Sequence, residues 1–144
     1  VDTKSHPYRL MSGVREPGEP IHDLWIRVTI DRDCTIHAVD ASMPSIPYPG
    51  GCERGEAAYQ KLVGANLLHG FRRLVTDRLG GVHGCTHLTG VVGSLPTLAV
   101  QMFAGLVREI EGTDKPFQLD RCQALDTRSD TVRRYYPQWY RGAA

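Results

Sequence analysis

From Ile21 to Ile30 the chain alternates strictly, with Leu24, Ile26, Val28 and Ile30 on one side and Trp25, Arg27 and Thr29 on the other. That is the two-residue period of a half-buried strand. His22 shares the parity of the apolar side. Asp31-Arg32-Asp33 supplies a tight turn, and from Cys34 to Ser42 the alternation resumes, with Ile36 and Ala38 opposite Val39 and Ala41. An antiparallel hairpin is therefore expected. Residues 43–52 carry three prolines and two glycines, which exclude regular structure and deliver Cys52 to the start of the next element.

Beyond the loop the period lengthens to that of a helix. Glu53 to Val63 reads as one helix stopped by Gly64, and Leu68 to Leu79 as a second, with Arg72, Arg73, Asp77 and Arg78 on a solvated face. Leu88, Val91, Val92, Leu95, Ala99, Met102, Phe103, Leu106 and Ile110 recur at helical spacing as far as Glu111. Gly93 and Pro96 fall inside that run, so a break near Ser94 is expected. Residues 1–20 read as an extended piece and a loop, while residues 112–144 are polar and aromatic, with a short strand possible at Phe117-Gln118-Leu119. The ring-rich Tyr135-Tyr136-Pro137-Gln138-Trp139-Tyr140 is expected to pack back on the domain or on a partner subunit.

These elements predict an α+β protein, a small antiparallel sheet with helices packed on one face, forming a single domain over 1–144. A chain of 144 residues can bury a core without disulfides or a structural metal. Lysine and arginine number 17 against 16 acidic residues and the basic ones are scattered, so no nucleic acid and no membrane partner is expected. With no apolar run of membrane-spanning length and no secretory signature at Val1-Asp2-Thr3-Lys4, a cytoplasmic location is expected, with a trimmed start.

The four cysteines, Cys34, Cys52, Cys85 and Cys122, include no C-x-x-C pair, so any shared site must be assembled by the fold. The most suggestive stretch is Gly80-Gly81-Val82-His83-Gly84-Cys85-Thr86-His87-Leu88. The glycines end one helix and hinge the chain, and Cys85 falls at or just before the start of the next, where unpaired N–H groups and the helix dipole favour thiolate over thiol. Three element ends could meet: His22 or Asp23 at the start of a strand, Cys52 before one helix, and Cys85 with His83 or His87 before another. Thiolates, imidazole and a carboxylate suit zinc or iron better than magnesium or calcium. A joint role for Cys85 and His87 requires Cys85 in the non-helical cap position, since a spacing of two inside a helix points side chains to nearly opposite sides. Cys34 and Cys122 read as structural, and a buried structural cysteine is also the plain alternative for Cys85.

The run Ile21-His22-Asp23-Leu24-Trp25-Ile26-Arg27-Val28-Thr29-Ile30-Asp31, the Pro47-Tyr48-Pro49 loop ending at Cys52, Gly84-Cys85-Thr86-His87-Leu88, and the ending Arg133 to Tyr140 resemble a bacterial family of domains of unknown function. The resemblance implies that Val1 to Lys4 belong to an N-terminal strand, and that the protein acts near aromatic-acid or acyl-CoA catabolism. More distantly, the order of elements is similar to the iron–sulfur cluster scaffold proteins. That likeness matches Asp23 to the scaffold aspartate, Cys52 and Cys85 to its second and third cysteines, and His22 to the place of the missing first cysteine. Two thiolates are too few for an all-cysteine cluster, which implies a mononuclear site.

The expected function is therefore mononuclear zinc or iron binding through His22, Asp23, Cys52, Cys85 and His87, with His83 as the alternative imidazole. Two other readings stand beside it: a small-molecule enzyme with Cys85 as reactive thiolate and His87 or His22 as base, and an accessory subunit without chemistry of its own. An oligomer, or a place in a larger complex, is expected from the aromatic tail.

Overall fold

In the computed structural model, residues 1–103, 115–116 and 118–142 are described. The chain is compact in two units, Val1–Phe103 and Ala104–Ala144. The first is α+β: a three-stranded antiparallel sheet, a separate hairpin and four helices.

The sheet runs in the order β1 (Asp2–Thr3), β4 (Pro20–Ile30), β5 (Ile36–Ser45), and β2 (Tyr8–Leu10) pairs with β3 (Gly13–Arg15). The alternation read in β4 holds: Leu24, Ile26, Val28 and Ile30 pack on the core, while Trp25, Arg27 and Thr29 are exposed. In β5 it does not. Ile30 pairs with Ile36 and Thr29 with Ala38, so His37 is an extra residue on β5. That bulge shifts the parity and puts Val39 on the same buried side as Ile36. A second irregularity, where Trp25 faces Ser42 but Asp23 faces Ser45, absorbs Met43 and Pro44 and lets the strand run three residues past the expected end at Ser42. The Met43 N–H is satisfied there by the Glu56 carboxylate at 2.8 Å.

Residues 1–20 do more than the loop reading allowed. Ser12 Oγ donates to the Pro47 carbonyl at 2.6 Å and Arg15 to the Ile46 carbonyl at 3.2 Å, so the β2–β3 hairpin holds the proline loop that leads to Cys52. The segment expected as one helix over 53–63 is α1 (Arg54–Ala58) followed by a tighter 3-10 turn, Tyr59–Leu62. Tyr59 and Leu62, three residues apart, share one face of that turn and are both fully buried. Helix α2 (Phe71–Leu79) starts three residues later than expected, after Gly70 in the left-handed region. The long apolar run divides, as Gly93 and Pro96 require, into α3 (Thr86–Val92) and α4 (Leu95–Met102). The rest of that run to Glu111 lies outside the described residues.

One core joins the sheet to the helices: Ile36, Val39 and Met43 meet Tyr59, Leu62, Phe71, Leu79, Leu88 and Val92. In the second unit, Gln118–Asp120 form a turn, so the possible strand at 117–119 is not present at its described positions; Phe117 lies outside them. Asp120, at positive φ, turns its carboxylate to the N–H and hydroxyl of Thr127, which fixes this turn instead of an extended strand. Helix α5 (Asp130–Tyr135) is capped by Ser129, whose hydroxyl accepts from the Val132 N–H at 3.2 Å. Among the described residues no helix is long and apolar enough to cross a membrane.

Candidate functional site

An open cleft of about 510 Å³ lies between the proline loop with α1 and the glycine turn before α3. Cys52 reaches it from the first wall, and His83, Cys85 and His87 from the second. On the first wall the Tyr48 carbonyl accepts the N–H groups of Gly51 and Cys52, both at 3.1 Å, and winds the loop into α1. On the second, Cys85 is the N-cap residue of α3 with extended backbone, φ −79° and ψ 124°. The geometric condition for Cys85 and His87 to share a site is thereby met.

Cys85 is held from beneath by Tyr59, which is fully buried. The Tyr59 hydroxyl donates to the Cys85 carbonyl at 3.0 Å and accepts from the Cys85 N–H at 3.2 Å, with Thr89 Oγ1 2.9 Å away. Burial pushes the Tyr59 hydroxyl above its ordinary pKa, outweighing the hydrogen bond with Thr89 that lowers it. The phenol therefore stays a protonated donor. Gly55 makes room for this arrangement: a Cβ there would lie 3.0 Å from Met43 Cε and 3.6 Å from Cys85 Cβ.

His22 stands one step back from the cleft. Its ring centroid is 4.1 Å from that of His87, at an interplanar angle of 42°. Asp2, paired with it across β1 and β4, places Oδ1 3.0 Å from His22 Nδ1 and 2.7 Å from the His22 backbone nitrogen. Burial opposes ionisation of Asp2, but these bonds to His22 outweigh it and lower its pKa. A carboxylate at Nδ1 selects the Nδ1–H tautomer and leaves Nε2 with the free lone pair. Asp23 is the outlier of the sequence-derived set. It is the neighbour of His22 on a strand whose side chains alternate, pairs across to Ser45, and does not line the cleft.

The donor types suit a soft divalent ion, two thiols with imidazoles on facing walls. In the arrangement described, however, no three His, Cys, Asp or Glu side chains among the described residues stand together closely enough to hold one. Of the remaining thiols, Cys34 is buried at positive φ, and burial followed by the charges of Asp31 and Asp33 raises its pKa. It is a core residue without nucleophilic character. Cys122 is exposed in the second unit. Three contributors were not legible as site residues: Asp2, which only strand pairing brings to His22; Tyr59, which reads as an apolar helix position; and Arg54, which reads as helix surface but lines the cleft.

The first unit is thus an α+β domain in which Cys52, Cys85, His83 and His87 line one cleft at the ends of its elements. A family described as protein of unknown function (DUF2889) matches residues 1–101, and the chain belongs to that family. Searches of curated proteins and of solved structures found no match.

Proposed function

We propose that this domain binds a single zinc or iron ion in the cleft, with Cys52 and Cys85 as thiolate ligands and His87 as imidazole ligand. The observation that carries the reading is that Cys52 from one wall and Cys85, His83 and His87 from the other line the same open cleft. His22 is the candidate for a fourth position, because Asp2 fixes its tautomer as carboxylates do behind metal-bound imidazoles. Asp23 would enter only if β4 rearranged. With two thiols, the set supports a mononuclear site rather than cluster assembly, and so departs from the iron–sulfur scaffolds it distantly resembles. A bound ion would supply Lewis-acid chemistry there; the chain's own residues orient the donors and keep the cleft open to a small molecule.

Loading the full chain with zinc or iron(II), removing excess, and measuring metal by elemental analysis tests the reading. The expected result is close to one ion per chain in the natural protein and loss of most of it in Cys52→Ser and Cys85→Ser. Less than about a tenth of an equivalent in the natural protein would overturn it, because a site of this ligand type retains its metal through gel filtration.

A second reading is favoured by the size of the cleft, which is that of a small-molecule site rather than of an ion alone. Here Cys85 is a reactive thiolate and His87 or His22 its base. In metal-free protein this reading expects alkylation of Cys85 faster than that of exposed Cys122, and equal or slower labelling would contradict it.

A further inference from the structure

We propose that the cleft admits a small organic monoanion, a carboxylate with an apolar body, and that Arg54 holds its charged end. The inference rests on the reading of this cleft as the functional site. Its lining is lopsided in charge: Arg54, His83 and His87 can carry positive charge, and no carboxylate is among the lining residues. The two acids nearest in sequence each spend a carboxylate oxygen on a backbone N–H, and Glu53 also feels the Arg54 charge. Glu53 accepts the Gly50 N–H at 3.0 Å, which is the largest cause of its lowered pKa, and Glu56 accepts the Met43 N–H at 2.8 Å. Among the described residues Arg54 makes no salt bridge.

An arginine that makes no salt bridge among the described residues, on a cleft whose lining includes no carboxylate, fits a carboxylate by geometry as well as by charge. Arg54 is the one arginine or lysine among the lining residues, and a single fixed positive charge matches a monoanion better than a phosphate dianion. The Tyr48 ring, Ala58 and Val82 supply apolar surface for the rest of the molecule, and Val82 is almost wholly exposed, a cost that a bound apolar body would relieve.

The cleft thiols themselves report on this preference. Iodoacetate and iodoacetamide alkylate by the same step, in which the thiolate sulfur forms the C–S bond and iodide leaves, but only the first carries a carboxylate. The full chain, stripped of metal with a chelator, is labelled with each reagent and the rates at Cys52 and Cys85 are read by mass spectrometry against Cys122 in the same molecules. In the natural protein the iodoacetate-to-iodoacetamide ratio at Cys85 is expected to exceed that in Arg54→Gln by about fivefold, the size of a partly exposed ion pair. Arg54→Lys should retain part of the preference. Hexanoate should slow labelling by iodoacetate and hexanamide should not. An unchanged ratio in Arg54→Gln, or equal protection by the acid and the amide, would overturn the proposal. Because the labelling is done without metal, it is scored independently of whether the chain takes up zinc or iron.

Discussion

At the scale of single residues, Tyr59 decides how Cys85 is presented. Its hydroxyl is the only side-chain group that meets both the N–H and the carbonyl of Cys85 among the hydrogen bonds described, and it is sealed from water. Tyr59→Phe keeps the ring and removes those bonds, leaving Cys85 and Thr89 polar atoms short of partners. The expected loss is about 1–3 kcal/mol in urea unfolding, the cost of stranding buried polar groups. A change below about 0.5 kcal/mol would show that the hydroxyl does not support the site. Asp31 offers a pH-dependent counterpart. The Thr35 N–H and then the His37 ring, 2.7 Å away, lower its pKa. A depressed carboxylate contributes stability that is present above its unfolded pKa of about 3.9 and lost as pH falls through the lower folded value. The Asp31 carboxyl signal followed by NMR should therefore titrate below about 3.9, and His37→Ala should raise its midpoint; a midpoint at the ordinary value would contradict the pairing.

At the scale of elements, the glycine turn between α2 and α3 sets the position of the second wall. A Cβ on Gly84 would lie 2.8 Å from the Leu79 carbonyl oxygen and 3.1 Å from Thr89 Oγ1, so the turn can close this tightly only with glycine. Gly84→Ala is expected to cost about 1–3 kcal/mol through overpacking and to slow or misplace the labelling of Cys85; a variant of natural stability would contradict the close approach. Much of this level was legible in the sequence. The alternation in β4, the proline loop, the break at Gly93-Ser94 and the placing of Cys85 at or just before a helix start all follow from local chemistry; that Cys85 rather than Thr86 is the cap does not. The bulge at His37 was not legible, because packing imposes it: it moves Val39 onto the core side that a regular strand would miss. Nor was the 3-10 turn at Tyr59, since Tyr59 and Leu62, three residues apart, share a face under either winding. The grouping of Cys52, Cys85 and His87 was anticipated from element ends, whereas Asp2 reaches the site through strand pairing, Tyr59 through burial, and Arg54 as an exposed residue on the cleft wall, none of which a linear pattern displays.

At the scale of the whole molecule, the hydrophobic cluster from Cys34 to Ala99 lies, among the described residues, in the first unit, as do the cleft lining and every proposed ligand. The family match, over residues 1–101, has nearly the same limit. A fragment ending at Phe103 is thus expected to unfold cooperatively and to keep the relative labelling rates of Cys52 and Cys85; a fragment that is unfolded in dilute buffer would show that the second unit is required for the first. The central claim is that two thiols from opposite walls meet on one ion. Titration of the metal-free full chain with cobalt(II) tests it most directly, because cobalt occupies zinc sites and bound thiolate gives an intense sulfur-to-cobalt charge-transfer absorption. The account predicts a band that saturates near one equivalent and falls by half or more in each of Cys52→Ser and Cys85→Ser, since each removes one of two thiolate ligands and weakens the site. Absence of the band, or a band left unchanged by either substitution, would contradict it.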